Sequence, residues 1–433
     1  MIYKMLHFIY NFPKYRIKEA GILIRGEKIK YYREKNNLTQ KELTDGICSI
    51  PYLSKVENNL LQPSDEILEL LCNRLNLKYE ELTPSLSTEA IVNSLKEWYE
   101  EIKFRNKDNS DHIYQQMQEN MIGIQDIEIL ALFHVMSSRH FMLTNEFERA
   151  QSHLETASTY LHYISGETKS YYYYFLGLYE YLNGSYDKAL EYYLKVQGAV
   201  NEPEYYYQLA LIYTKLNKIS MAITSTEKAL VEFNKNILFY KVIDCYILLA
   251  VNYNRIHECE TAKSYLQLAL RGSKSLKDAD YFKKVIYHNL GFVAQTEKKS
   301  DEAVDYFLQS IHESPEMQGR ELTIYLLAKE LLNMGKWEEC GTWIHKGMSL
   351  LTEKNSTYYL LRELQYQVET EDDTEGYKAF IETEALPHFL DKKDVSNICN
   401  CYEWLGKYYD ARHHYKKSSE CYVKANQLKN TYY

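Results

Sequence analysis

Eight cysteines and thirteen histidines are the residues of this 433-residue chain with the most chemistry to offer. Cys48, Cys72, Cys245, Cys259, Cys340, Cys399, Cys401 and Cys421 show no Cys-x-x-Cys spacing, so a structural zinc site has no frame in the sequence. Cys399 and Cys401 flank a single residue, and His413, His414 and Cys421 follow. On one helix, however, positions i and i+2 point to different sides, which argues against a shared metal. The thiols are expected to be free and buried in a reducing cytoplasm, with no metal or other cofactor. No Walker loop, GxGxxG, HExxH or GxSxG occurs, and no histidine pairs with a nucleophile in a recognisable arrangement. Catalysis needs positioned acids, bases or nucleophiles. The expectation is a protein that binds, not an enzyme.

Binding residues need elements to hold them, and the composition indicates which. Hydrophobic residues at 45% and charged residues at 26% are ordinary for a globular chain. The 43 tyrosines and only 7 prolines suit a long stack of helices, with few breakers and many large amphipathic rings. The net charge of −9 excludes a polycation, so any nucleic-acid contact must come from a local patch. No apolar stretch reaches the roughly 18–20 residues that span a bilayer, and no membrane partner is expected. The opening "MIYKMLHFIYNF" lacks the basic start and small-residue cleavage site of a signal peptide. Residues 1–24 are read as an extension outside the native protein. "KEAGIL" is then a translated ribosome-binding site, with synthesis starting near Leu23 or Ile24; mass spectrometry of the native N-terminus checks this.

Residues 25–83 carry the densest signals. Ile29, Tyr32 and Arg33 share one face of a short helix. Thr39 with Glu42 three residues on forms a capping box, and Ser49 opens the next helix with Pro51 in its first turn. Ser64 caps a further helix that is expected to turn Ile67, Leu70, Leu71 and Leu75 inward. Short helices in this order form a helix-turn-helix domain. "LTQKELTDGICSIPYLSKVENN" (38–59) resembles the Cro/repressor-like class at Leu38-Thr39-Gln40, Glu42-Leu43, Leu53 and Glu57-Asn58. The resemblance implies a DNA-facing set of Gln40, Ser49, Ile50, Pro51, Tyr52, Lys55 and Asn58, with Gln40 on a phosphate. It makes Arg33 and Glu57 a structural ion pair. A degenerate adaptor that binds no DNA is the alternative: residues 25–83 hold nine basic and ten acidic groups. Residues 25–60, with seven basic and five acidic, favour DNA.

The rest of the chain repeats. In "YYFLGLYEYLNGSYDKALEYYLKV" (173–196), Leu176-Gly177, Tyr186, Ala189 and Tyr193 follow the tetratricopeptide pattern, in which a small residue lets two antiparallel helices approach closely. Further copies align on Ala150, Ala222, Ala262, Ala303, Cys340, Ala379 and Ser418, at intervals of 39, 33, 40, 41, 37, 39 and 39 residues. The expected architecture is all-α, a helix-turn-helix domain (25–83), a linker helix (84–110, after Pro84-Ser85) and a right-handed tetratricopeptide superhelix (111–433). The inner face of each repeat's first helix is the binding surface. By register it holds Gln208, Lys215, Asn254, Arg255, His288, Asn289, Phe292 and Gln295. Asn and Gln can hold a peptide main chain, and Lys215 or Arg255 a terminal carboxylate. A solvated lining is the alternative for each residue singly.

With "YHNLGFVAQTEKKSDEAVDYFLQSI" (287–311) beside the helix-turn-helix motif, the chain from about residue 25 onward resembles the RNPP family of quorum-sensing regulators, named after Rap, NprR, PlcR and PrgX. The length and number of repeats are NprR-like. The resemblance implies a cytoplasmic transcriptional regulator whose DNA binding is controlled by a short imported signalling peptide. It places Asn289, and Gln208 two repeats earlier, on the peptide backbone. A homodimer on a two-half-site DNA operator is expected, since one helix-turn-helix reads only one half-site. Two alternatives stay open. One is a sensor that also binds a response-regulator domain and promotes its dephosphorylation, though no residue here aligns with the catalytic glutamine of Rap-type proteins. The other is a protein-interaction scaffold with a vestigial DNA domain.

Overall fold

A computed structural model describes residues 26–78, 86–104, 106–121, 124–196, 203–274, 276, 279–313, 319–369 and 374–432. The 1–24 extension, the Pro84-Ser85 junction and Pro315 lie outside them. All regular structure among the described residues is helical. The chain divides after Gln208 into two compact units, taken separately below.

The first unit begins with Gly26–Lys35 (α1), Gln40–Thr44 (α2), Ile50–Glu57 (α3) and Asp65–Leu75 (α4). Each of the last three starts at a hydroxyl cap. Thr39 accepts from the Glu42 N–H while the Glu42 carboxylate takes the Thr39 N–H at 2.7 Å, and Ser49 and Ser64 accept from the Tyr52 and Ile67 amides. The core is Ile29, Tyr32, Leu43, Leu53, Val56, Leu68, Leu71, Cys72 and Leu75. Helix α4 is therefore turned relative to the sequence expectation: Leu68 and Cys72 face inward, Ile67 is half-buried and Leu70 is exposed. The apolar residues of α4 are nearly continuous, so its own pattern leaves the choice of face to its neighbours.

Leu86–Lys103 (α5) and Lys107–Asn120 (α6) form a helical hairpin where a joining helix was expected. Leu95, Trp98, Tyr99 and Ile102 are buried. Trp98 Nε1 donates to Ser110 Oγ at 2.9 Å, and Ser110 Oγ pairs with His140 Nδ1 at 2.8 Å. Burial lowers the pKa of this imidazole, against the opposing pull of Asp111. His140 lies on Ile127–Thr144 (α7), which packs with Phe147–Ser158 (α8); Gly166–Leu182 (α9) and Tyr186–Lys195 (α10) form the next pair.

Pro203–Lys215 (α11) crosses the division. The second unit continues with Ile219–Lys235 (α12), the pairs Phe239–Arg255/Cys259–Ser273 (α13, α14), Ala279–Thr296/Ser300–His312 (α15, α16) and Glu321–Asn333/Trp337–Leu350 (α17, α18), and Ser356–Glu369 (α19). Then come Thr374–Phe380 (α20) and Leu386–Asp391 (α21), joined by a π turn at Ile381–Ala385, and the last pair Val395–Ala411/Tyr415–Tyr432 (α22, α23).

The repeat has a backbone signature. Asn145, Gly184, Asn217, His257, Lys298, Gly335 and His413 all have positive φ, and each stands five residues before its small anchor. One left-handed residue reverses the chain between the two helices of a pair. Ala150, Ala189, Ala222, Ala262, Ala303 and Cys340 are fully buried and Ser418 nearly so. Gly177 and Gly291 complete the contact: a Cβ there would come 2.5 Å from the Tyr193 and Phe307 rings. Ala379 breaks the series. It is exposed, and Ala385, fully buried with Phe389 four residues on, takes the small slot as Ala303 and Phe307 do. The anchor spacing there is 45 and then 33 residues rather than 39 and 39.

Candidate functional site

Helix α3 is held from behind by a closed polar network. Arg33 donates to both Glu57 oxygens, Nε to Oε1 at 2.6 Å and Nη2 to Oε2 at 3.1 Å, and through Nη1 to the Leu38 carbonyl at 3.0 Å. Both side chains are buried, and the Glu57 hydrogen bond holds the guanidinium pKa above its usual value. Gln40, expected on a phosphate, donates Nε2 to Glu57 Oε2 at 2.7 Å. Ser49 is the cap of α3, and Asn58 donates Nδ2 to its own helix at the Ser54 carbonyl, 2.7 Å away. The remaining members differ. Ile50 is 43% exposed, Pro51 and Lys55 are exposed, and Tyr52 packs half-buried against the domain core.

Helix α1 ties this domain to the repeats within the first unit. Lys28 pairs with Asp126, the cap of α7, and the Tyr32 hydroxyl donates to the Gln125 carbonyl. Tyr31 meets Tyr163 edge-on at 5.1 Å and Tyr160 at 6.3 Å, while the Tyr163 hydroxyl donates to Glu34. That bond to a carboxylate pushes the Tyr163 pKa up to about 12. Ile127, Ala131 and Ile164 belong to the same apolar core as α1, α3 and α4. Close by, His134 and His153 share a hydrogen bond of 2.9 Å between their Nδ1 atoms, and burial takes the His153 pKa down to about 4.

In the second unit, polar side chains link the first helices of neighbouring pairs. Asn252 of α13, fully buried, donates to Thr214 Oγ1 at 2.9 Å, and Arg255 Nη1 donates to the Thr214 carbonyl at 2.5 Å. On α15, His288 Nδ1 shares a 2.9 Å hydrogen bond with Thr323 Oγ1, and Gln295 Nε2 donates to Glu330 Oε1 at 2.7 Å. Phe292, 45% exposed, lies between them in sequence, so His288, Phe292 and Gln295 share one face of α15 toward α17. Burial, with Lys284 nearby, lowers the His288 pKa to about 4. Asn289 is half-buried and donates to the Val285 carbonyl of its own helix at 2.8 Å. Asn254 is buried and accepts from Cys259 Sγ; Lys215 is exposed and Gln208, which ends the first unit, is half-buried.

Thr214, Asn252, Thr323 and Glu330 were not singled out from the sequence, nor was Glu363 of α19. Glu363 is 2% exposed and accepts from Tyr377 at 2.9 Å and from Gln367; burial raises its pKa. The signal was available as polar residues set among apolar ones, but the partners of Thr214, Asn252, Thr323 and Glu330 are 35 to 38 residues away. None of the eight cysteines is in a disulfide, and burial pushes the Cys401 thiol up to about 12. No helix among the described residues is long and apolar enough to cross a membrane.

The fold and these faces define a helix-turn-helix domain carried on paired-helix repeats. Two family models match parts of the chain: a helix-turn-helix matches residues 29–82 and a tetratricopeptide repeat matches residues 203–230. The chain is 28% identical over 412 residues to the transcriptional activator NprA of Geobacillus stearothermophilus, covering 90% of this chain and 99% of NprA. It is 24% identical over 284 residues to the response regulator aspartate phosphatase E of Bacillus subtilis, covering 61% of this chain and 76% of that protein. The solved structure of NprR in complex with its cognate peptide NprX superposes with a TM-score of 0.63 at 26% identity, covering 78% of this chain and 99% of that one. The chain is thus similar to NprA and NprR along most of its length, and joins a helix-turn-helix to tetratricopeptide repeats.

Proposed function

We propose that the protein is a transcriptional regulator whose helix-turn-helix domain binds duplex DNA under the control of a short signalling peptide held on the first-helix faces of the repeats. The observation that carries this is the likeness to NprA along 90% of the chain, together with the likeness to NprR seen with NprX. The first-helix faces fit the role. Their polar side chains bridge neighbouring repeats, so a peptide that competes for Asn252, His288 or Gln295 acts on the packing between repeats. Asn289, Asn254, Arg255, Lys215, Gln208 and Phe292 complete the proposed peptide set. Gln40, Ser49, Ile50, Pro51, Tyr52, Lys55 and Asn58 form the proposed DNA set, in which Gln40, Ser49 and Asn58 chiefly hold the helix in place. The protein acts in the cytoplasm as a homodimer whose two domains meet two half-sites.

The test is a gel shift of the full-length protein on the intergenic DNA upstream of its gene, with and without synthetic peptides spanning the product of any short neighbouring gene. A shift that one peptide strengthens or abolishes supports the proposal; a shift indifferent to every such peptide removes the control by peptide. The likeness to a response regulator aspartate phosphatase favours a second reading, in which the same chain also binds a response-regulator domain and promotes its dephosphorylation. Loss of acyl phosphate from purified phosphorylated response regulators, measured with and without the protein, decides that reading.

A further inference from the structure

Resting on the DNA-binding reading, the tip of α3 has a chemistry of its own. The polar side chains around it are already engaged: Gln40 on Glu57, Ser49 as the cap and Asn58 on the Ser54 carbonyl. What faces outward from the first turn is Ile50 and Pro51, both exposed, and Pro51 has no N–H to offer. The Tyr52 hydroxyl makes no hydrogen bond within the described residues. Lys41 and Lys55 are exposed, and neither has an ion-pair partner among the described residues; Glu42, exposed beside Lys41, gives its carboxylate to the Thr39 cap. Guanine and adenine are read in the major groove by forked donors such as Arg, Asn or Gln, and the tip of α3 presents none. An apolar side chain in that position matches one base feature, the C5 methyl group of thymine.

We propose that Ile50 and Pro51 read thymine methyl groups in the major groove while Lys55 holds the adjoining phosphate, so that each half-site carries thymine where the start of α3 enters. The flanking cations supply the charge complementarity that brings an apolar tip to a polyanion.

The full-length protein is used to select duplexes from a random-sequence pool, and the selected duplexes are remade with uracil in place of thymine. Removal of the methyl groups is expected to weaken binding about four-fold for each methyl lost, the fold-change that corresponds to burial of one such group. In Ile50→Ala the ratio of thymine to uracil affinity falls towards one. In Lys55→Ala both duplexes weaken together and the salt dependence becomes shallower. Equal binding of the two duplexes by the unaltered protein overturns the proposal, as does an Ile50→Ala protein that keeps the full ratio. An Ile50→Ala protein with altered sedimentation and an unaltered ratio assigns the tip to contact between copies, and also overturns it. A folded protein that binds no duplex of any sequence overturns the DNA-binding reading as well. The two failures are told apart because the first leaves sequence-independent binding intact.

Discussion

The back of the recognition helix and the first-helix face of the second unit are both rich in hydrogen-bonding side chains, but they use them differently. Behind α3 the network closes on itself. Arg33, Gln40 and Glu57 satisfy one another in a buried cluster inside a single small domain, and the outward tip is left apolar and cationic. Along α13, α15 and α17 the polar pairs join neighbouring repeats, Thr214 with Asn252, Thr323 with His288 and Glu330 with Gln295. A network confined to one domain fixes a shape. One shared between repeats is a set of bonds that a polar ligand can exchange for its own, at a cost set only by the difference between the two sets. On the proposed reading, the first network keeps the DNA reader in shape and the second is open to exchange with a peptide.

Glu57→Ala should break the first network most severely. It leaves the buried Arg33 without its bidentate partner, with only the more exposed Glu34 carboxylate at 3.4 Å, which costs up to about 3–5 kcal/mol, to be read as loss of the helix-turn-helix transition in denaturant unfolding. Full stability after that change would mean that the pair does not hold α3. Gly291→Ala forces a Cβ against the Phe307 ring and should cost about 1–3 kcal/mol in the second unit, visible as a lower Tm. Asn289→Ala should separate the roles: unfolding nearly unchanged, because Asn289 bonds only its own helix, and peptide affinity measured by calorimetry weakened by about 1–3 kcal/mol. Unaltered affinity would return Asn289 to the solvated lining. The smallest effect is on pH dependence. His153 and His288 have folded pKa values of about 4 against an ordinary 6.5, so the unfolded chain takes up their protons first. Their contribution is intact above pH 6.5 and is lost as the pH falls from there towards 4. His288→Gln should flatten this fall in urea midpoints measured across that range; an unchanged slope would mean the ring is not held neutral.

Local chemistry was the legible part. Thr39, Ser49 and Ser64 announce helix starts because a cap acts within three residues, and Ala150 to Cys340 announce repeats because close helix approach demands small residues at a fixed place. What depended on distant neighbours was not legible. The face of α4 that turns inward is chosen by the core it shares with the other helices of the domain, so Leu68 and Cys72 are buried where Ile67 and Leu70 were expected. The seventh anchor moved from Ala379 to Ala385 because the sequence offers two alanines and only packing against Phe389 and its neighbours selects one. Residues 84–110 read as a single linker helix, where α5 and α6 pair as a hairpin, because Trp98 shows its purpose only when Ser110 and His140 are beside it. Of the residues proposed for ligands, geometry divides those already bonded within the fold, such as Gln40 and Gln295, from those facing solvent, such as Ile50, Lys55 and Phe292.

The docking of α1 has a consequence for how such a protein can acquire a new operator. Lys28, Tyr31, Tyr32 and Glu34 are shared property, belonging to the DNA domain by sequence and to Gln125, Asp126, Tyr160 and Tyr163 by contact. A helix-turn-helix transplanted from a relative would arrive with a foreign outer face on its first helix. Inheritance of new DNA specificity is therefore easier by changes at exposed Ile50, Pro51 and Lys55, which take no part in these bonds, than by exchange of the whole domain.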